Sequence, residues 1–249
     1  SIKKVTFYYQ TKNISPFVYN VGFLPRGTYL KVDSNISEGE KSGNLDANKL
    51  KQLANEDKEE QQANNTITRG KYGTQKGFDT VIWETSDPNR DNILSNLYIQ
   101  TLPSGNWLLL QKDMQQTFYT FESKDMADGY YQFKVEVSDH LSNLVSESLS
   151  SSQTSQRFLV DNNPPAIDKV SVSSPSNNMI RIQFKAEDSV STIQKAEAYI
   201  DNHLTPVYVE PKDRLFDERE ELFDVSVPGI DSGLHNVIIT VSDSLDNQS

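Results

Sequence analysis

The strongest constraint on the fold is an internal repeat. Residues 128–143 read DGYYQFKVEVSDHLSN and residues 232–247 read SGLHNVIITVSDSLDN, and their shared Gly, Ser-Asp and Asn positions are offset by 104 residues (243 − 139 for the aspartates). Upstream, WETSD at 83–87 corresponds to FKAED at 184–188, at an offset of 101 residues (188 − 87). The chain is therefore predicted to hold two copies of one module of about 100 residues, the size of a seven-stranded β-sandwich.

Apolar and polar residues alternate at period two in both copies, as in 131–137 and 235–241, which predicts strands. Turns rich in Gly, Pro, Asn and Asp separate these short runs, and this arrangement is typical of an all-β sandwich. Further strands are predicted at 17–23, 78–85, 93–101, 107–111, 117–121 and 156–160 in copy one, and at 167–173, 179–186, 194–200, 206–209, 222–227 and 234–242 in copy two. The expected core residues are Trp83, Tyr131, Phe133, Val135, Phe184, Val237 and Ile239.

One segment interrupts the rhythm of strands. Residues 33–66 carry eight acidic and four basic residues together with many Asn and Gln, and we interpret them as an insertion between the first two strands of copy one. Three leucines predict a short amphipathic helix over 46–60. The insertion is either a solvated loop with a helical turn or a partner-binding loop.

Composition excludes several classes of function. The 249 residues include no Cys, so disulfides, thiolate metal sites and Cys nucleophiles are excluded. The net charge of −11 argues against a nucleic-acid partner. No apolar run approaches the length of about 18 residues that a membrane span requires. Only three His are present, and no pattern assembles them into a catalytic set, so we expect no enzyme.

A family resemblance follows from the order of several motifs. The stretch 80–91 (TVIWETSDPNRD) resembles a W-x-A-x-D-P-N-G-D pattern, with Arg90 where Gly is usual, and WLLL at 107–110, QTFYT at 116–120, DGYYQFKV at 128–135 and DNNPP at 161–165 continue the likeness. Together they resemble the C-terminal region of bacterial secreted β-propeller proteins, in which fibronectin type III-like modules follow the propeller.

The resemblance implies two tandem Ig-like or fibronectin type III-like β-sandwiches. In its terms residues 1–12 are the last strand of a preceding domain or an N-terminal extension, 13–163 the first sandwich with its insertion at 33–66, and 164–249 the second. Offset by 104, the last strand of copy two should lie near residue 260, so this copy is expected to be truncated before that strand. The edge at 235–241 is then expected to pair with another strand.

Acidic residues in the loops suggest a calcium site. In such a sandwich the loops after the second and sixth strands share one end, which places Asp87, Asp91 and Asp139 together in copy one. In copy two the same rule gathers Asp188 and Asp243, and Asp161 arrives there from the linker. Oxygen ligands of this kind suit Ca²⁺. The alternative is ordinary turn chemistry, because Asp caps turns without any metal.

Aromatic and histidine side chains are the remaining candidates. Trp107, which follows a turn, could stack on a sugar ring together with Tyr98, or it could simply pack along its strand. His235 occupies the position of the corner tyrosine of such modules, which Tyr131 fills in copy one, and we expect it to hydrogen-bond the backbone upstream. His203 lies in a polar turn.

These observations favour a non-catalytic structural or interaction module of an exported bacterial protein, which spaces or presents another domain. The alternative is a carbohydrate-binding accessory module of an extracellular enzyme. The expected partners are other protein domains or a surface polysaccharide, and the expected location is extracellular, at the cell surface or periplasmic. Apart from Ca²⁺ at Asp161, Asp188 and Asp243, no cofactor is expected.

Overall fold

A computed structural model describes residues 4, 6, 12–32, 70–176, 178–201 and 205–249. Within these ranges the chain is almost entirely β, with one 3₁₀ turn at Ser123–Asp125. The helix predicted over 46–60 lies outside the described residues. The strands are β1 (Phe17–Phe23), β2 (Thr28–Val32), β3 (Gly70–Thr74), β4 (Phe78–Ser86), β5 (Leu94–Thr101), β6 (Leu108–Met114), β7 (Phe118–Glu122), β8 (Gly129–Ser138), β9 (Ser150–Thr154), β10 (Phe158–Val160), β11 (Ala166–Ser176), β12 (Met179–Glu187), β13 (Ile193–Ile200), β14 (Val207–Tyr208), β15 (Glu220–Pro228) and β16 (Val237–Asp243).

The chain divides into two compact units. Unit 1 comprises Ser1–Met126 and Tyr130–Val160, and unit 2 comprises Ala127–Gly129 and Asp161–Ser249. In the described part of the chain, no helix is long and apolar enough to cross a membrane.

Unit 1 is a sandwich of two antiparallel sheets. One sheet has the order β1-β4-β7, and the other has the order β10-β8-β5-β6 with β9 also paired to β8. In the nomenclature of Ig-like folds these are A-B-E and G-F-C-C′, which is a fibronectin type III-like arrangement. A two-stranded ladder of β2 and β3 flanks the insertion.

The core of unit 1 draws on both sheets. Trp83 from β4 is buried, and its indole N–H donates to the Ser95 hydroxyl at 3.1 Å. Phe133 from β8 is fully buried and stacks on Phe158 with ring centroids 5.2 Å apart. Tyr131, at the position of the corner tyrosine, is also buried and stacks on Phe158. The inward residues of the alternating pattern therefore hold the two sheets together, as expected.

Unit 2 repeats the plan with fewer strands. Its sheets have the orders β11-β12-β15 and β14-β13-β16. Phe184 and Phe223 stack at the centre of its core with ring centroids 4.5 Å apart. Phe184 is therefore buried as predicted.

Two of the expected core residues are less buried than predicted. Val237 and Ile239 in β16 are only partly buried, whereas Val241 in the same strand is fully buried. β16 pairs with β13 on one side. On its other side the structure describes only an isolated bridge from Ser242 to Gln248, so the side chains further up the strand lack a covering neighbour.

Every strand predicted between residues 17 and 242 is present, with ends displaced by at most three residues. The strand predicted at 1–12 lies outside the described residues, apart from residues 4, 6 and 12. β2, β3 and β9 were not predicted. β9 (SSSQT) contains no apolar residue, and β3 (GKYGT) has only one aromatic, so neither shows the alternation that marks a strand. Their backbone hydrogen bonds to a neighbouring strand, rather than their side chains, make them strands.

Candidate metal centres and an aromatic patch

Three aspartates of unit 2 lie together at one end of its sandwich. Asp161 precedes β11, Asp188 follows β12, and Asp243 ends β16. Each offers a carboxylate oxygen, and these oxygens lie within 4.8 Å of one another. The side chains are 5%, 5% and 0% exposed, respectively, so the cluster is shielded from water. We call this set the unit 2 carboxylate cluster.

Two members of this cluster cap loops. Asp188 Oδ1 accepts the backbone N–H groups of Val190 at 2.8 Å and Ser191 at 2.7 Å. Asp243 Oδ1 accepts the N–H of Leu245 at 2.7 Å and of Asn247 at 2.9 Å, and its Oδ2 accepts the Asn247 side-chain amide at 2.9 Å. These are the turn contacts that Asp forms readily, and they explain why the loops adopt this conformation.

Asp161 differs from the other two. Its Oδ1 accepts the Asn163 N–H at 3.2 Å, but its buried Oδ2 has no hydrogen-bond partner among the described residues. Burial is the main reason why the pKa of Asp161 is raised, and the nearby carboxylates of Asp188 and Asp243 raise it further. The Ser191 hydroxyl and the Asn163 N–H oppose this rise. The Ser191 hydroxyl also lies 3.4 Å from Asp188 Oδ1.

The electrostatics of the cluster are unfavourable without a counter-charge. Two unit charges 4 to 5 Å apart repel by roughly 3–4 kcal/mol at an effective dielectric constant of about 20. Within the described ranges, no Lys, Arg or His forms an ion pair with these three residues. A proton or a cation would relieve the repulsion.

Unit 1 contains a related cluster in the equivalent loops. Oxygens of Asp87, Asp91 and Asp139 lie within 4.8 Å of one another, with Asp139 fully buried and the other two half-buried. Asp87 Oδ1 accepts the N–H groups of Asn89 at 2.7 Å and Asp91 at 3.1 Å. Its buried Oδ2 has no partner among the residues described. We call this set the unit 1 carboxylate cluster.

Asparagines complete the unit 1 cluster. Asn13 Nδ2 donates to Asp139 Oδ2 at 2.7 Å, and Asn143 Nδ2 donates to Asp91 Oδ2 at 2.8 Å. Asn13 lies four residues before β1, and Asp161 lies five residues before β11, so an amide in unit 1 occupies the place of a carboxylate in unit 2. The sequence therefore predicted the six aspartates correctly as two groups, but it gave no role to Asn13.

Sequence reasoning also gave no role to Asn143 and Asn247, which lie four residues after Asp139 and Asp243, respectively. Asn247 Nδ2 donates both to Asp243 Oδ2 and to the Asp161 carbonyl at 2.9 Å, and so ties the end of β16 to the segment before β11. Asn143 Nδ2 has different acceptors, the Asp91 carboxylate at 2.8 Å and the Asp139 carbonyl at 3.4 Å. The repeat contained the signal, because Asp and Asn recur at the same spacing in both copies.

The aromatic pair proposed for sugar stacking lies on one surface patch of unit 1. Tyr98 and Trp107 are both half-buried, and the Lys134 ammonium lies 4.4 Å from the centroid of the first ring and 5.0 Å from that of the second. The Tyr98 hydroxyl donates to Glu136 Oε2 at 2.8 Å, and this hydrogen bond is the main reason why the pKa of Tyr98 is raised. The patch therefore combines aromatic and charged groups, with one ring face of each aromatic directed at a cation.

The histidines have different surroundings. His235 Nε2 is 2.7 Å from the Asp231 carbonyl, the upstream backbone contact expected of a corner residue, and Nδ1 is 2.8 Å from Asp201 Oδ2. The Asp201 hydrogen bond is the main reason why the pKa of His235 is raised. His203 lies outside the described residues.

His140 lies between Ser138 and Asp113, which are the residue types of a catalytic triad. Its Nδ1 is 3.3 Å from the Ser138 hydroxyl and its Nε2 is 4.0 Å from Asp113 Oδ1. The Ser138 hydroxyl also accepts the backbone N–H of His140. Both side-chain distances exceed the range of about 2.6–3.2 Å expected between a nucleophile, its base and an orienting acid.

Comparisons with known proteins identify no family for this chain. No protein-family model matches the chain, and no curated protein matches its sequence. Among solved structures, the chain is similar to the crystal structure of the FN1–FN3 domains of chicken CNTN1, with 11% sequence identity and a TM-score of 0.34. That similarity covers 68% of this chain and 58% of the chicken chain. The assignment of two fibronectin type III-like sandwiches accordingly rests on the strand order and the cores of the two units.

Proposed function

We propose that the chain is a non-catalytic structural and interaction module of an exported bacterial protein, and that it spaces or presents other domains. The observation that carries the proposal is the edge strand β6. Its residues Leu108, Leu109 and Leu110 are 64%, 50% and 39% exposed, and among the described strands β6 pairs only with β5. An edge strand with free N–H and C=O groups and apolar side chains is a template for a partner strand.

A second edge supports the same proposal. β16 pairs with β13, and within the described residues the other side of its first half, Val237–Thr240, has no neighbouring strand. Ile238 on this strand is 62% exposed. Exported adhesive and scaffold proteins use such edges to add a strand from another domain.

The test compares binding by edge variants. Cross-linking in intact cells of the source bacterium should identify the partner, and purified partner should then be titrated against the chain by calorimetry. The double variant Leu108→Lys and Leu110→Lys should weaken binding at least tenfold. Leu144→Lys, which changes a 70% exposed leucine outside any strand, should leave binding unchanged.

Two results would argue against the proposal. One is partner binding that the β6 variants do not weaken. The other is turnover of an ester or amide substrate by the wild-type chain that Ser138→Ala and His140→Ala each abolish, because this would assign chemistry to the Ser138–His140–Asp113 set. Fractionation of cells with an antibody to the chain tests export, and a cytoplasmic signal would contradict it.

Carbohydrate binding is the second candidate, and the patch of Tyr98, Trp107 and Lys134 favours it. Aromatic rings stack on the apolar faces of sugars, and neighbouring polar groups bind the hydroxyls. Retention on insoluble polysaccharides should fall when Trp107 is replaced by Ala. Tyr208→Ala is the matched control, because the Tyr208 ring in unit 2 is 69% exposed and also has a lysine ammonium over it, 5.6 Å away. Equal retention of the two variants would exclude the patch as a sugar site.

A further inference from the structure

The unit 2 carboxylate cluster has a feature that turn chemistry does not explain. Asp188 and Asp243 cap their loops through hydrogen bonds from backbone N–H groups. Asp161 is equally buried, at 5% exposed, yet only one of its two oxygens accepts a hydrogen bond. A buried carboxylate oxygen without a donor is costly, so its presence calls for a group that interacts with it.

Unsatisfied acceptors concentrate at the two carboxylate clusters. Across the described residues, four buried side-chain polar atoms lack a hydrogen-bond partner, and three of them are Asn13 Oδ1, Asp87 Oδ2 and Asp161 Oδ2. All three atoms are oxygens that accept hydrogen bonds but do not donate them, so each needs a donor or a cation beside it. Their recurrence at the same end of both sandwiches points to a donor or a cation at each place, and the grouped carboxylates favour a cation.

The carboxylate oxygens of the unit 2 cluster are ligands that suit calcium. Ca²⁺ binds six to eight oxygens at about 2.3–2.6 Å, so ligands on opposite sides of one ion are about 4.6–5.2 Å apart. The oxygens of Asp161, Asp188 and Asp243 lie within 4.8 Å of one another, so all three can contact one such ion. Mg²⁺ binds at about 2.0–2.1 Å and requires a smaller, near-octahedral site.

We propose that unit 2 binds one Ca²⁺ through the carboxylates of Asp161, Asp188 and Asp243. The ion offsets two of the three carboxylate charges and satisfies the free oxygen of Asp161. It joins the segment before β11, the loop after β12 and the end of β16, which are far apart in sequence. Calcium therefore acts as a structural clamp on this end of unit 2, and the remaining ligand positions are left for water or backbone oxygens.

The experiment uses the full chain and measures both the binding of Ca²⁺ and the part of the chain that the ion protects. After treatment with a chelator, the chain is titrated with CaCl₂ by calorimetry up to about 10 mM, because extracellular modules bind Ca²⁺ at about 0.1–1 mM. Hydrogen exchange is followed by mass spectrometry in peptides covering 185–193 and 241–249. We expect saturable binding and slower exchange in both peptides, with weaker effects from MgCl₂ at the same concentration.

Two variants distinguish a specific site from general attraction to an acidic chain. Asp161→Asn preserves the size of the side chain and should weaken the calcium response of both peptides at least tenfold. Asp168→Asn is the matched control, because exposed Asp168 also accepts a neighbouring N–H but lies outside the cluster. Asp168→Asn should bind as the wild type does.

The proposal is overturned by any of three results. These are no calcium-dependent protection of the two peptides at 10 mM, protection that persists unchanged in Asp161→Asn, and equal protection by Mg²⁺ and Ca²⁺. Should Asp161→Asn fail to fold, as circular dichroism would reveal, Asp188→Glu provides the second variant. It retains the charge but lengthens the ligand, and it should also weaken binding.

Discussion

β8 of unit 1 and β16 of unit 2 are equivalent strands with different burial. Phe133 and Val135 in β8 are fully buried, whereas Val237 and Ile239, 104 residues further on, are only partly buried. β8 lies between β5 on one side and β9 and β10 on the other. β16 has β13 on one side, and on the other the structure describes only a bridge at Ser242.

In both strands the alternating pattern determines which face is apolar, but the neighbouring strands determine how deeply that face is buried. Val137 and Val241, near the ends of the two strands, are both fully buried. Beside these two valines, both β8 and β16 have neighbouring residues on each side of the strand. The difference between the units is therefore confined to the half of β16 that lacks a second neighbour among the described residues.

The largest expected effect is on the core. Phe133→Ala should lower the free energy of unfolding of unit 1 by about 3–5 kcal/mol, because it removes a fully buried ring that packs on Phe158. Val237→Ala, at the equivalent position, should cost less than about 1.5 kcal/mol, because its side chain is already partly exposed. Trp83 and Trp107 both lie in unit 1, so tryptophan fluorescence during denaturation reports on the first variant, and hydrogen exchange in β16 reports on the second. Equal costs would refute the difference in burial.

The next effect concerns the end of β8. Asp139→Ala leaves the Leu149 N–H and one donor of the half-buried Asn13 without an acceptor, so unit 1 should lose about 1–3 kcal/mol. Asp113→Asn, which removes an exposed charge on β6 and tolerates the positive φ of 54° there, should cost less than about 0.5 kcal/mol. The free energy of unfolding of both variants is measured by tryptophan fluorescence during denaturation. An equally small loss of stability in the Asp139 and Asp113 variants would contradict the role assigned to the buried carboxylate of Asp139.

A smaller effect distinguishes the two corner residues. Because its pKa is raised in the folded chain, charged His235 stabilises unit 2 fully below its unfolded pKa of about 6.5, and this contribution is lost as the pH rises through the folded value. Hydrogen exchange in β16, corrected for the intrinsic pH dependence, should therefore indicate a lower opening free energy at pH 8 than at pH 6. His235→Tyr, which introduces the residue type of Tyr131, should abolish this difference. A pH dependence that persists in His235→Tyr would point to another titrating group.

The smallest effect is on the outer face of the same strands. Lys134 and Ile238 are equivalent, and each faces a tyrosine across the strand pair, Tyr98 in unit 1 and Tyr199 in unit 2. Ile238→Lys should change the stability of unit 2 by less than about 0.5 kcal/mol, because Ile238 is 62% exposed. It should also reduce self-association of the chain in sedimentation experiments. A loss of more than 1 kcal/mol would mean that Ile238 is covered in solution.

Sequence patterns alone establish the repeat, the all-β class, the positions of most strands and the grouping of six aspartates. These follow from local rules, because alternation sets the faces of a strand and loops at one end of a sandwich converge. Sequence patterns did not reveal β9 or the ladder of β2 and β3, since those strands are defined by backbone pairing to a neighbouring strand and not by alternating side chains. Only the tertiary structure placed Asn13 beside Asp139 and left Asp161 with an unpaired buried oxygen. Asn13 and Asp139 are 126 positions apart, and no local pattern encodes which donors reach an acceptor once the chain has closed around it.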